Sequence, residues 1–337
     1  MLSATMSRVQ CNISSAHTRP STVVAFDWLL KPRKFLKTPQ GTTAYVSAAG
    51  CFCGAILFLI AVCAACVPAV SANFKAGDGL QSTYDWLVLF CSMLGSKFFG
   101  LGCAASFILG NNLDYTQQLD AWKAQGKLGH PPRYKWIGFH PDSCYWWGGV
   151  LYILGNIQYN IASTCAFAHN FPQQYESWSA NTVKWLVTVM YTSGGACYLL
   201  AGLFYVLTDT GPKFWKGVLV PTQKRDGRRL TWWINWLNFW GAVMYCIGGV
   251  FMNYRSRLPY HPAYQIENAV NEGGGSLCYA ISGLLCWFQL SLSANEPSDD
   301  RPLAQQGTSQ TAQYGASPNI QEGFQDPGNS TADIQIV

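Results

Sequence analysis

The chain has 337 residues, of which only 12% are charged against roughly a quarter in ordinary soluble domains, while 15% are aromatic. That balance excludes a conventional water-soluble domain pair and points to a membrane protein. The net charge of +5 is spread over a few polar connections, so it bears on topology rather than on binding nucleic acid.

Residues 1–25 are rich in Ser and Thr and contain Arg8 and Arg19 as their only charges, which reads as a disordered cytosolic tail, with a transit peptide as the alternative. The segment 26–43 follows, and in its Phe26–Lys37 part aromatic and leucine residues alternate with Lys31, Arg33, Lys34 and Lys37. Such a pattern suits a stretch lying on an anionic leaflet.

Six apolar spans come next, at about Ala44–Val70, Tyr84–Gly110, Tyr145–Ala168, Val183–Leu207, Trp232–Met252 and Gly273–Leu292. Each reaches the roughly 20 residues that a helix needs to cross the hydrocarbon core. The expected fold is therefore all-α, a polytopic bundle over residues 44–292, with a polar tail from 293 to 337. Lys and Arg number seventeen in the N-terminal tail, the second and fourth connections and the C-terminal tail, against four in the remaining connections. The positive-inside rule then places both termini in the cytoplasm, with the plasma membrane the favoured location. Trp136, Trp146, Trp147, Trp215, Trp232 and Trp233 fall at the inner boundary, and Trp86, Trp178 and Trp185 at the outer one.

The chain repeats itself. Trp147–Asn160, WGGVLYILGNIQYN, returns 93 residues later as Trp240–Asn253, WGAVMYCIGGVFMN, with six of fourteen positions identical. Cys197–Leu203 returns as Cys278–Leu284, and Gly54–Phe58 matches Gly148–Tyr152 weakly. Three parallel two-helix units follow, at about 44–110, 145–207 and 232–292. Every span also holds two small residues seven apart: Gly54/Ala61, Gly95/Gly102, Gly148/Gly155, Gly195/Gly202, Gly241/Gly248 and Ser276/Gly283. Seven residues is close to two turns, so each pair marks one stripe along which helices pack closely in lipid.

At these residues the chain resembles the YrhK-like integral membrane proteins, in the aromatic-WG-x-V-x-Y helix starts at Trp146–Gly155 and Trp232–Gly248 and the Cys278–Gly283 helix. The resemblance covers residues 135–292 well and 40–110 poorly. It implies a small multi-pass helical fold and carries no established reaction, substrate or catalytic residue.

For function, the residues to weigh are intramembrane polar ones. Lys97 sits near the middle of the second span, where charge is costly and by default suggests a site. Asn156 and Asn160 form a polar stripe on the third span, and Asn235 and Asn238 are further candidates on the fifth. The alternative for Lys97 is a long stem that snorkels toward water, or a span whose boundary lies elsewhere, and for the asparagines a hydrogen bond that fixes helix register. His130, His140, His169 and His261 fall on opposite sides of the membrane, so no metal centre is expected. Gly273-Gly274-Gly275 lacks the Lys-Ser/Thr of a phosphate loop, and no catalytic signature occurs, so no cofactor is expected. The basic loop Lys213–Arg229 suits anionic lipid headgroups. The expected function is a non-catalytic structural or partner-binding bundle, with a small-solute transporter or channel as the alternative. Oligomeric state is left open by the sequence.

Overall fold

Long helices begin where the sequence supplies a cap. The computed structural model describes residues 36, 38–75, 77–112, 114–210, 230–255 and 268–295, all within the compact unit His17–Asp300. The N-terminal tail, the loop Lys213–Arg229, His261 and the residues from 296 onward lie outside the described residues.

Helix α1, Pro39–Ala65, opens with Thr38 accepting from Gly41 N at 3.1 Å and with Pro at its first position, where a missing N–H is harmless. It starts five residues earlier than apolarity predicts because this cap, not the first apolar residue, sets its origin. It stops before Pro68, which opens the short helix α2, Pro68–Ser71. Asp85–Phe90 is a π-helical turn leading into α3, Cys91–Gly110. The second connection contains α4, Tyr115–Ala124, a polar helix that hydrophobic periodicity does not reveal.

Ser143 caps α5, Cys144–His169, by accepting from Trp146 N at 3.3 Å. Helices α6, Pro172–Ser177, and α7, Ala180–Val183, precede a second π turn, Lys184–Val189, and α8, Met190–Thr210. Helix α9 covers Leu230–Arg255; a third π turn, Asn268–Gly273, opens α10, Gly274–Asn295. Helices α3, α8 and α10 are each introduced by a six-residue π turn.

Four of these helical stretches are long and apolar enough to cross a membrane: Pro39–Ala65, Asp85–Gly110, Ala180–Thr208 and Leu230–Phe251. Helix α5 matches them in length at 26 residues, and Asn156, Gln158 and Asn160 in its middle reduce its apolarity. The distribution of polarity agrees with a lipid setting. Ser96, Asn156, Ser163 and Ser276 are buried, while Leu101, Leu154, Ile157, Val250 and Leu277 are exposed. Water would reverse that arrangement.

The six long helices form a closed ring. Helix α1 packs on α3, α3 on α5, α5 on α8, α8 on α9, α9 on α10, and α10 returns to α1. Side-chain hydrogen bonds fix both ends of the Asp85–Gly110 stretch. At one end Asp85, fully buried, accepts from Ser82 N and Ser82 Oγ at 2.7 Å and from Asn170 Nδ2 at 2.9 Å. At the other, Asn112 accepts from Lys135 N at 2.7 Å and donates to the Lys135 and Ile108 carbonyls.

Candidate functional site

The centre of the ring is built from one local pattern used six times. A glycine precedes an aromatic residue by four positions at Gly54/Phe58, Gly95/Phe99, Gly155/Tyr159, Gly194/Tyr198, Gly241/Tyr245 and Gly275/Tyr279. Four residues is about one turn, so glycine and ring share a helix face. Between α5 and α8, and between α9 and α10, the glycine of one helix seats the ring of the other. A Cβ on Gly155 would lie 2.8 Å from Tyr198 Cδ1, and one on Gly194 would lie 2.6 Å from Tyr159 Cδ2. The same exchange joins Gly241 to Tyr279 at 3.1 Å and Gly275 to Tyr245 at 3.0 Å. In the first pair, Gly95 meets Phe58 Cδ1 at 3.4 Å and Gly54 meets Phe99 Cβ at 2.7 Å. Any larger residue would push the helices apart or the rings off the axis.

The six rings meet on the axis. Phe99 and Tyr279 lie 5.1 Å apart, Tyr245 and Tyr279 5.6 Å, and Phe58 and Tyr245 6.1 Å. Tyr159 stacks on Tyr198 at 5.0 Å and stands edge-on to Tyr245 at 5.7 Å. Edge-to-face and offset arrangements at these separations are the favourable ones for aromatic pairs. The rings leave no water-sized space between them. A second, partial layer stands beside it, with Tyr152 5.5 Å from both Tyr198 and Tyr205.

Hydroxyls accompany the rings. Ser276 Oγ donates to the Glu272 carbonyl at 2.7 Å, so the 2.7 Å contact between Tyr245 and Ser276 has the tyrosine as donor. The Tyr152 and Tyr279 hydroxyls approach to 3.4 Å.

The polar residues expected inside the membrane separate into three places. Asn156 and Asn160 face α3. Asn160 Nδ2 donates to the Ser96 carbonyl at 3.0 Å and to both oxygens of Asn156 at 2.9 Å. Its Oδ1 accepts from Ser96 Oγ at 3.2 Å, and Ser96 Oγ also meets Ser163 Oγ at 2.7 Å. Asn156 Nδ2 lies against Gly100, 2.8 Å from where a Cβ would stand, and has no partner among the described residues. Lys97 points away from this network to the outside of the ring, where Nζ donates to Thr164 Oγ1 at 2.7 Å. Asn235 and Asn238 are half-buried on α9, which packs chiefly on α8 and α10, across the ring from α3.

The predicted packing residues Gly54, Gly95, Gly102, Gly148, Gly155, Gly195, Gly202, Gly241, Gly248 and Gly283 are all buried. They serve two kinds of contact. Gly54, Gly95, Gly102, Gly148, Gly155 and Gly241 lie within helix pairs, as where Gly102 would meet Cys51 N at 2.5 Å. Gly195, Gly202 and Gly283 instead join neighbouring pairs, touching Cys246, Phe239 and Phe52. Gly194 and Gly275, which seat two of the axial rings, are not among these ten. The signal that could have found them is the glycine-aromatic spacing of four, present in all six spans.

All twelve described cysteines are free. Among the described residues, no three His, Cys, Asp or Glu side chains come together in a way that could hold a metal ion. No protein-family model matches the sequence, no curated protein matches it, and no solved structure matches the fold.

Proposed function

We propose that the chain is a six-span, non-catalytic membrane bundle of structural or partner-binding type, assembled from three parallel two-helix units with both termini in the cytoplasm. The observation that carries this reading is the axial layer, where six helices each contribute one ring and no water-sized space is left. The three-unit reading draws support from the exchange of glycine and ring between α5 and α8 and between α9 and α10, and from the π turn that opens α3, α8 and α10. Kinship with the YrhK-like proteins rests on the sequence rhythm alone. The basic connections would rest on anionic headgroups of a plasma-membrane inner leaflet.

Asn156 and Asn160 support the packing side of this reading because their hydrogen bonds are made to α3 and to each other. The competing reading, a small-solute transporter or channel, draws on the axial hydroxyls of Tyr152, Tyr245 and Tyr279 and needs the ring layer to part. Purified protein in liposomes should leave ion and small-solute gradients undisturbed. A flux through the wild type that Asn156→Leu or Tyr245→Phe abolishes would establish the transporter reading instead.

A further inference from the structure

Lys97 stands about half-way along Asp85–Gly110, yet its side chain lies on the outer surface of the ring beside Phe98 and Leu101. Twelve residues separate it from Asp85, about 18 Å at the helical rise. Thr164, which accepts its hydrogen bond, is six residues from Asn170, about 9 Å. Asp85 and Asn170 are bonded to each other at 2.9 Å and so mark one level. The lysine stem therefore climbs from the middle of the bilayer toward the Asp85–Asn170 side, as a cation seeking a polar boundary does. Thr164 takes one of its three protons, and no carboxylate pairs with it among the described residues.

Deeper than Thr164, α5 presents an exposed apolar stripe of Leu154, Ile157 and Ile161, and Leu101 faces outward from α3. A cation at the top of an aliphatic groove is the complement of a phospholipid. We propose that the outer α3–α5 groove binds one phospholipid of the Asp85-side leaflet, its phosphate on Lys97 Nζ and Thr164 Oγ1 and one acyl chain along Leu101, Ile157 and Ile161. A carboxylate on a neighbouring helix could meet the lysine at its own depth. The climb of the side chain toward the headgroups favours the lipid. The proposal rests on α5 crossing the bilayer beside α3, as the six-span reading has it.

The test is native mass spectrometry of protein taken from nanodiscs of phosphatidylglycerol and phosphatidylcholine into mild detergent. Wild type should retain one phospholipid, and Lys97→Gln should lower its occupancy about fivefold, the factor that about 1 kcal/mol for one Lys near anionic headgroups represents. Lys97→Arg should restore it, Thr164→Val should weaken it, and inorganic phosphate should not displace it. Equal retention by wild type and Lys97→Gln overturns the proposal. So does an unchanged lipid count with loss of a dimer or a co-purifying polypeptide, which would give the groove to a carboxylate-bearing protein. Glycan acceptors placed at residues 137–140 and 173–177 separate the two readings. If both ends of α5 lie on one side, the six-span reading fails; opposite sides without lysine-dependent lipid sink only this proposal.

Discussion

The α3–α5 and α8–α9 seams both join neighbouring helix pairs in the ring, and they use opposite chemistry. At α8–α9 a Cβ on Gly195 would lie 3.0 Å from the Tyr245 carbonyl and 3.1 Å from Cys246 Cα, and one on Gly202 would lie 3.1 Å from Phe239 Cα. Backbone touches backbone there, with the Thr192 hydroxyl donating to the Gly249 carbonyl at 2.7 Å. At α3–α5 the corresponding surface carries Ser96, Asn156, Asn160 and Ser163, tied into one hydrogen-bonded cluster. Close approach maximises dispersion but is tolerant of sliding, whereas directional hydrogen bonds fix one axial position. The difference assigns the register of the ring to α3–α5 and close backbone packing between neighbours to α8–α9.

Substitutions at the two seams should separate those roles. The largest effect is expected for Gly195→Val, whose branched side chain has only backbone to displace; a loss of about 3 kcal/mol should appear in reversible detergent unfolding. A loss below 1 kcal/mol there would mean that the seam is loose and the comparison fails. Asn160→Leu removes the donor to Ser96 and Asn156 and should cost about 2 kcal/mol, because the buried Asn156 Oδ1 loses its partner and Ser96 loses its bonds across the seam. Cross-linking of cysteine pairs placed along α3 and α5 should then show several registers where the wild type shows one. Gly100→Ala faces a side-chain amide, not backbone, so thermal unfolding should report only about 1 kcal/mol, the scale of an off-rotamer adjustment of Asn156. Smallest is Ser163→Ala, about 0.6 kcal/mol, since Ser96 Oγ keeps Met93 O and Asn160 as partners. A Ser163→Ala loss as large as that of Asn160→Leu would show that the serines, not the asparagine, hold the register.

The long helices were legible because composition alone drives them. Long, mostly apolar runs opening on the caps Thr38, Ser143 and Ser179 favour helix, the form that in lipid satisfies every backbone polar group within one segment. Helix α4 was not legible, since YTQQLDAWKA has no apolar face to give it away. Among the polar residues, the pairing of Asn156 with Asn160 could be read from their spacing of four, but the outward turn of Lys97 could not. Whether a helical lysine points to the axis or to lipid depends on which neighbours occupy the other faces.

The repeat shows the same division. By sequence, Gly148 aligns with Gly241; in the fold it is Gly155 that crosses Gly194 and receives Tyr198 as Gly241 crosses Gly275 and receives Tyr279. Small residues seven apart let a helix slide by two turns without losing its stripe, so pattern alone cannot choose between the two alignments. Likewise Gly194 and Gly195 are adjacent in sequence but about 100° apart on the helix, and they serve different neighbours, Tyr159 on α5 and Cys246 on α9. The sequence by itself determined that the chain is helical and lipid-suited, and that its helices carry notches. Only tertiary structure decided which notch receives which ring, because that choice belongs to six helices closing on one another and to no single segment.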